Sequence, residues 1–295
     1  MNEELNKIVV ITGPTALGKT AVSIELAKLV NGEIVSADSA QAYKGMNIGT
    51  ATPSDAELRE ARHHMINIID PIEPLSAALF SEMARDAIDD IISRKRLPIL
   101  VGGAGFYICS IIYENFLANK DTDKSAISEV EKLNSKEVLL RLKIKDPKSF
   151  SLIHPNNIKR ARRALAFALS NNEPISKYTQ EKIPRYNAKI FALDAPREYV
   201  YERINRRADF MIENGLLEEA RSLNLGPTAK KVIGYKELEP YFNGQISLAD
   251  CAKNIKQATR RYAKRQLTWL KKNPSKTLDA RLPSIYLAKL IAGLL

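Results

Sequence analysis

The sequence predicts an α/β fold, a P-loop-type parallel sheet flanked by helices and interrupted by an all-α insertion. Three observations carry this. The run KIVVIT at Lys7–Thr12 is apolar and β-branched, as a strand buried on both faces should be, and it ends in glycine before a helical pattern. Further apolar runs then alternate with helices, which implies right-handed crossovers between parallel strands. From about residue 119 to 184 the strand signals stop and charged helical segments replace them.

In chain order, residues 21–30 read as the first helix and EIVSADS from Glu33 as the second strand. MINIID from Met65 reads as a third strand, and SAALFSEMARDAIDDIISRKR from Ser76 as a long amphipathic helix. PILVGG from Pro98 is a fourth strand running into a second glycine turn and helix. Within the insertion, VEKLNSKEVLLRLKI and NNIKRARRALAFAL are helical. AKIFALDA from Ala188 restores a strand, and PREYVYERINRRADFMIENG follows with proline at its start and glycine at its end, as helices favour. The C-terminal third is mainly helical, with one long helix from about Ser247 to Lys272. The expected division is therefore a core of residues 1–118 and 185–295 and an insertion of residues 119–184.

A chain of 295 residues with 45% hydrophobic content can bury a full core. Cys109 and Cys251, with His63, His64 and His154, show neither metal-ligand spacing nor a disulfide framework, so a reducing, cytoplasmic setting and no structural zinc are expected. Acidic residues precede the first apolar run, the wrong order for a secretion signal. The longest apolar stretch, residues 98–113, carries three glycines and is shorter than the ~20 residues a membrane helix needs, so no membrane is expected. Lys and Arg number 45 against 34 Asp and Glu, a net +11. That sign favours polyanions such as nucleic acid or phosphorylated substrates, with simple solubility as the ordinary alternative.

Gly13, Pro14, Thr15, Ala16, Leu17, Gly18, Lys19 and Thr20 match the P-loop pattern G-x-x-x-x-G-K-[ST] between a strand and a helix, the context that gives the motif meaning. Backbone amides of such a loop converge on phosphate oxygens, aided by the positive end of the helix. Lys19 would neutralise phosphate charge and the Thr20 hydroxyl would hold Mg²⁺. The loop does not name the reaction, since it serves ATP-dependent phosphoryl transfer and a leaving diphosphate equally well.

After the second strand comes DSAQAYKGMNIGTATP at residues 38–53, similar to the DSxQxYxGMxIGTAxP segment of bacterial-type tRNA dimethylallyltransferases. Gly102–Tyr107, GGAGFY, resembles that family's GGTGLY turn; residues 232–236, VIGYK, resemble its IGYKE stretch; residues 258–269, ATRRYAKRQLTW, resemble its TRxxAKRQxTW helix. The matches run in family order over nearly the whole chain.

The resemblance implies transfer of a dimethylallyl group from dimethylallyl diphosphate to the exocyclic N6 amine of the adenosine 3′ to the tRNA anticodon, with release of diphosphate. Asp38 would be the general base, a role its place at a strand end allows, although a lone strand-end aspartate more often caps a turn. Thr15 and Arg207 complete the implied catalytic set, while Arg203, one turn before Arg207, is equally readable as solvated surface. The implied tRNA-binding residues are Asp38, Ser39, Ala40, Gln41, Ala104, Lys159, Arg160, Ala161, Arg162 and Arg163. Two departures stand out: Ala104 replaces the family threonine, and Arg62 replaces the proline before the paired histidines. His63 and His64 read as packing or positioning residues.

In the long helix, Ile255, Tyr262 and Trp269 recur every seven residues as a core face, while Lys253, Lys256, Arg260 and Lys264 form a cationic stripe. A solvated face is the ordinary reading of such a stripe. With the cluster at residues 159–163 it also suits a tRNA crossing from core to insertion. The expectation is a monomer acting on tRNA. The rivals are an adenylate prenyltransferase acting on free nucleotide, a P-loop small-molecule kinase, and a non-catalytic RNA-binding protein.

Overall fold

The computed structural model describes residues 5–114, 116, 122–178, 182–273 and 275–295. By contact, the chain divides into two compact units, one of residues up to Ile112 together with Tyr186–Leu295, the other Tyr113–Arg185. The boundary expected between 118 and 119 lies outside the described residues.

The first unit is built on one six-stranded sheet in the order β3-β2-β4-β1-β5-β6, parallel throughout. Its elements are β1 (Lys7–Thr12), α1 (Lys19–Val30), β2 (Gly32–Ser36), α2 (Asp55–Glu60), β3 (His63–His64), α3 (Ala77–Ser93), β4 (Leu97–Val101) and α4 (Gly105–Ile112). β1 is central, with Val9 level with Ile99 of β4 on one side and with Lys189 of the returning β5 on the other. Helices cover both faces, which is why Ile8, Val9, Val10 and Ile11 are all fully buried. Each such side chain contributes about 1.5–3 kcal/mol by leaving water. In α3, Ser76 caps the N-terminus by accepting the Leu79 amide, and Phe80, Ala84, Ile88 and Ile91 form its buried stripe.

The expected third strand is displaced. β3 is His63–His64, paired with Ile34 and Val35, and MINIID lies beyond it. Met65 (φ 66°) and Asn67 (φ 52°) take left-handed backbone, which no pleated ladder accommodates. The segment instead hangs on the 41–44 turn: the amides of Asn67, Ile68 and Ile69 donate to Gln41 O and Ala42 O.

The second unit holds α5 (Lys124–Glu131), α6 (Ser135–Lys145), α7 (Pro147–Leu152) and α8 (Ile158–Asn171) around Val130, Val138, Leu142, Ile153, Ala161 and Leu165. VEKLNSKEVLLRLKI is two helices, because Asn134 closes a capping box with Glu137 and starts α6 anew. The buried Asp146 accepts the amide and hydroxyl of both Ser149 and Ser176, tying α7 to the segment after α8.

Back in the first unit follow β5 (Asn187–Asp194), α9 (Arg197–Glu213), α10 (Leu216–Ser222), α11 (Glu239–Phe242), α12 (Leu248–Leu270), β6 (Lys276–Asp279) and α13 (Ser284–Ala292). The apolar pattern does not reveal β6, a short, mostly exposed edge strand. Among the described residues no helix is long and apolar enough to cross a membrane.

Candidate active site

The carboxyl ends of β1, β2 and β4 deliver three turns to one edge of the sheet, the place where open α/β sheets receive ligands. From β1 comes the loop Gly13–Gly18, with Ala16 and Gly18 in left-handed backbone that curls the chain over the N-terminus of α1. No side chain caps that helix, so its first amides face the loop. Lys19 folds back and donates to Gly13 O at 3.0 Å and Pro14 O at 2.8 Å. Burial, helped by repulsion from Arg207 and opposed by Asp38, lowers its ammonium pKa to about 8.

From α9, Arg203 Nε donates to Ala16 O at 2.5 Å, while Arg207 donates to Thr15 Oγ1 at 3.3 Å and Thr50 O at 3.4 Å. Arg203 is exposed, as a solvated arginine is, and at the same time braces the loop through Ala16 O. From β2, Asp38 receives the Ala40 amide on Oδ1 at 3.1 Å, the turn-capping geometry of an aspartate at a strand end. Burial holds its carboxyl above its ordinary range, against the opposing pull of the Ala40 amide, Lys19 and Arg207. Asp38 therefore caps a turn and still offers a proton acceptor of raised basicity.

From β4 comes the glycine turn. A side chain on Gly103 would sit 1.9 Å from Gln266 Nε2 and one on Gly105 2.1 Å from the Trp269 ring, so these glycines let α12 lie directly on the turn. Gln266 is buried there and accepts the Thr15 amide at 3.0 Å. Ala104 stands at the N-cap of α4, its carbonyl accepting the Ile108 amide. Alanine at this position has no side-chain oxygen with which to cap α4, a contact typically worth about 1 kcal/mol.

The sequence profile of the IPP transferase family matches residues 41–273. A tRNA dimethylallyltransferase of an Exiguobacterium species is 45% identical over 274 residues, covering 90% of this chain and 87% of that one. The Bacillus subtilis tRNA dimethylallyltransferase is 40% identical over 281 residues, covering 92% and 90%. The chain belongs to the tRNA dimethylallyltransferase family.

Solved structures agree. The full-length tRNA isopentenylpyrophosphate transferase of Bacillus halodurans matches with a TM-score of 0.72 at 38% identity, covering 98% of this chain and 96% of that one. A eukaryotic dimethylallyltransferase described as acting on tRNA matches with a TM-score of 0.80 at 28% identity, covering 93% and 74%.

The basic surfaces of this dimethylallyltransferase-family chain are narrower than the sequence implied. On α8, Lys159, Arg160 and Arg163 are exposed. Ala161 is fully buried, because it shares the inward stripe of Ala164, Leu165 and Ala168, and it presents nothing to RNA. Arg162 is half-buried and donates to Leu133 O at 2.9 Å. On α12, Lys256 pairs with Asp209 and Arg260 donates to Asn205 over the Tyr201 ring, both across to α9, while Lys253, paired with Asp250 of its own helix, and Lys264 stay exposed, so half of the stripe packs protein against protein. Nor are Tyr262 and Trp269 core residues: both are half-buried, and the inward face is Cys251, Ile255, Ala263 and Gln266. Trp269 instead joins Arg261, Lys264, Arg265 and Lys272 around a cleft of about 400 Å³.

Sequence reading assigned no role to Gln266, although a glutamine in phase with Ile255 on an otherwise apolar face signals a buried polar contact. Glu219 carried no signal at all. His64 Nε2 donates to the Glu33 carboxylate at 2.7 Å and His63 contacts Ala61 O, which suits the packing role expected of both.

Proposed function

We propose that this site transfers a dimethylallyl group from dimethylallyl diphosphate to the N6 amine of the adenosine 3′ to the anticodon of tRNA. What carries the reading is the convergence of a phosphate-binding loop, two arginines and one basic carboxylate at a single sheet edge, in a chain of this family. The P-loop of residues 13–20, through its free backbone amides at the start of α1, binds the diphosphate together with Lys19 and Arg207. Asp38 accepts a proton from the amine as the nitrogen bonds to the allylic carbon. The C–O bond breaks, its electron pair leaves with diphosphate, and the fixed cations stabilise the growing charge. Thr15, bonded to both Arg207 and Gln266, holds the loop to these partners.

Thr20, the first residue after Lys19 in α1, suits Mg²⁺. It supplies one hard oxygen, and no group of three or more His, Cys, Asp or Glu among the described residues forms a protein cage, consistent with an ion held mainly by substrate phosphates and water. Bound there, Mg²⁺ would neutralise diphosphate charge. Ser39, Ala40, Gln41 and Ala104 line the approach for the extruded adenosine, and Lys159, Arg160 and Arg163 offer phosphate contacts. We take the enzyme to act as a monomer, and a tRNA substrate supports the cytoplasm.

The deciding experiment incubates the protein and Mg²⁺ with dimethylallyl diphosphate carrying label in the prenyl chain, together with tRNA or AMP, and in parallel with γ-labelled ATP and candidate small acceptors. Label in tRNA and release of diphosphate are expected. Label in AMP alone would move the acceptor to a free nucleotide, and transfer from ATP alone would make the protein a kinase.

A further inference from the structure

We propose that Glu219 is a positioning residue for prenyl transfer. From α10 it fills an anion-binding nest in the backbone of residues 47–49, and so sets the carbonyls on which Gln41 and Arg207 are hung. The inference rests on the function proposed above.

Three consecutive amides aim at this one carboxylate: Asn47 and Ile48 at 2.9 and 2.8 Å from Oε2, and Gly49 at 3.0 Å from Oε1. Successive amides turned to one side make a concavity that attracts an anion. A side chain fills it here, 170 residues away in sequence at Gly49. The Tyr235 hydroxyl donates to Oε1 at 2.5 Å. Burial and the Glu219 charge both push the phenol's pKa upward, so it remains a donor. Among the described residues Glu219 makes no ion pair; its partners are three amides and a phenol. A carboxylate partnered in this way fixes backbone geometry.

The fixed segment leads directly to the site. Thr50 is buried, its hydroxyl donates to Met46 O at 2.5 Å, and Ala51 is held in left-handed backbone at φ 49°. Those constraints present Thr50 O and Ala51 O to Gln41 Nε2 at 3.4 and 3.1 Å, and Thr50 O to Arg207 at 3.4 Å. On its other side, Gln41 Oε1 accepts the Ser36 hydroxyl at 2.8 Å, and Ser36 Oγ takes the Asp38 amide at 3.2 Å. Hydrogen bonds on either side of one short stretch of covalent backbone, residues 49–51, thus join Glu219 to the leaving-group arginine and to the backbone of the general base.

The test uses the full-length enzyme with Glu219→Gln and Tyr235→Phe. The glutamine keeps the shape but sets an amide nitrogen against a backbone donor. Kinetics are measured with tRNA and dimethylallyl diphosphate, alongside thermal unfolding and a double variant joining Glu219→Gln to Gln41→Ala. We expect kcat of Glu219→Gln to fall roughly ten- to hundredfold, as for misplacement of a catalytic group by an ångström or less, with little change in KM for dimethylallyl diphosphate. Tyr235→Phe should shift kcat the same way by less. Measured against Gln41→Ala alone, which also loses its contact to the adenosine, adding Glu219→Gln should lower kcat little further, since both changes release the same carbonyls. A lower melting temperature with full kcat per folded molecule would make Glu219 purely structural and overturn the proposal, as would fully additive losses with Gln41→Ala. If Glu219→Gln does not fold, an unchanged kcat in Tyr235→Phe overturns it. A wild-type enzyme that labels no tRNA would defeat the functional reading and this one together, whereas an active wild type with an indifferent Glu219→Gln defeats the clamp alone.

Discussion

Glu33 and Asp38 stand five residues apart at opposite ends of β2, Glu33 buried and Asp38 half-buried, each beside arginines. Glu33 is bonded by Arg94 and by His64 at 2.7 Å, and is ion-paired with Arg96 at 3.2 Å and Arg62 at 3.6 Å. Those bonds, Arg94 first, hold its carboxyl down at about 2 against the opposing effect of burial. Asp38 has cations nearby, but among the described residues it accepts a hydrogen bond from the Ala40 amide alone, so burial prevails and its pKa rises. Direct hydrogen bonding to cations turns a buried carboxylate into structure; cations held one step away leave it able to take a proton.

The largest way to break this contrast is Asp38→Asn, which keeps shape and removes the base. Single-turnover transfer should fall ~10²–10⁴-fold with tRNA binding retained, and a near wild-type rate would show that the carboxylate at this end is as inert as its counterpart. Arg207→Ala removes a cation from the leaving diphosphate, so kcat should drop roughly 10²–10³-fold while tRNA affinity holds; equal losses in both would move Arg207 to the RNA surface. Glu33→Gln should act on the fold instead. Denaturant unfolding should register a loss of about 3 kcal/mol, the low end for breaking a buried pair because the arginines keep access to water, with kcat per folded molecule unchanged. Since the pKa of Glu33 is depressed from 4.5 to about 2, its stabilisation is full above the higher value and disappears as pH falls toward the lower, so the variant should lose the corresponding acid dependence.

The smallest effect is the pH profile of kcat/KM for dimethylallyl diphosphate, which reports the free enzyme. Asp38 must be deprotonated, so the acid limb should lie above the ordinary carboxylate range. Lys19 must be protonated, so activity should decline as pH rises through about 8. Glu33→Gln should leave both limbs in place, and an acid limb that moved with it would erase the distinction between the two ends of β2.

Most of what binds phosphate was legible in the sequence because it is local. A buried strand, a glycine loop and a helix in succession determine where Lys19 and Thr20 stand, and an intact motif carries Asp38 to the neighbouring strand end. Features set by distant partners were not legible. Met65 and Asn67 left the expected strand because the 41–44 turn supplies their hydrogen-bond partners, and KTLD became β6 because β5 offers an edge, not because its composition is apolar. Lys256 reads as surface charge until α9 places Asp209 beside it, and Arg203, though exposed, also reaches Ala16 O of the glycine loop. Ala161 illustrates the opposite error: it sits inside a basic stretch, but helical phase turns it inward.

The sheet's outer strands have one more consequence. β3 extends over two residues, and β6 begins with exposed Lys276 and Thr277. A long, flat, apolar border would recruit strands from other chains, whereas a two-residue stub and a lysine-headed ribbon give an incoming strand few free amides and an unfavourable charge to bury. The sheet therefore ends in two blunt margins that resist fibril-like growth, and a cationic protein at cellular concentration can stay dispersed without shielding those margins behind further structure.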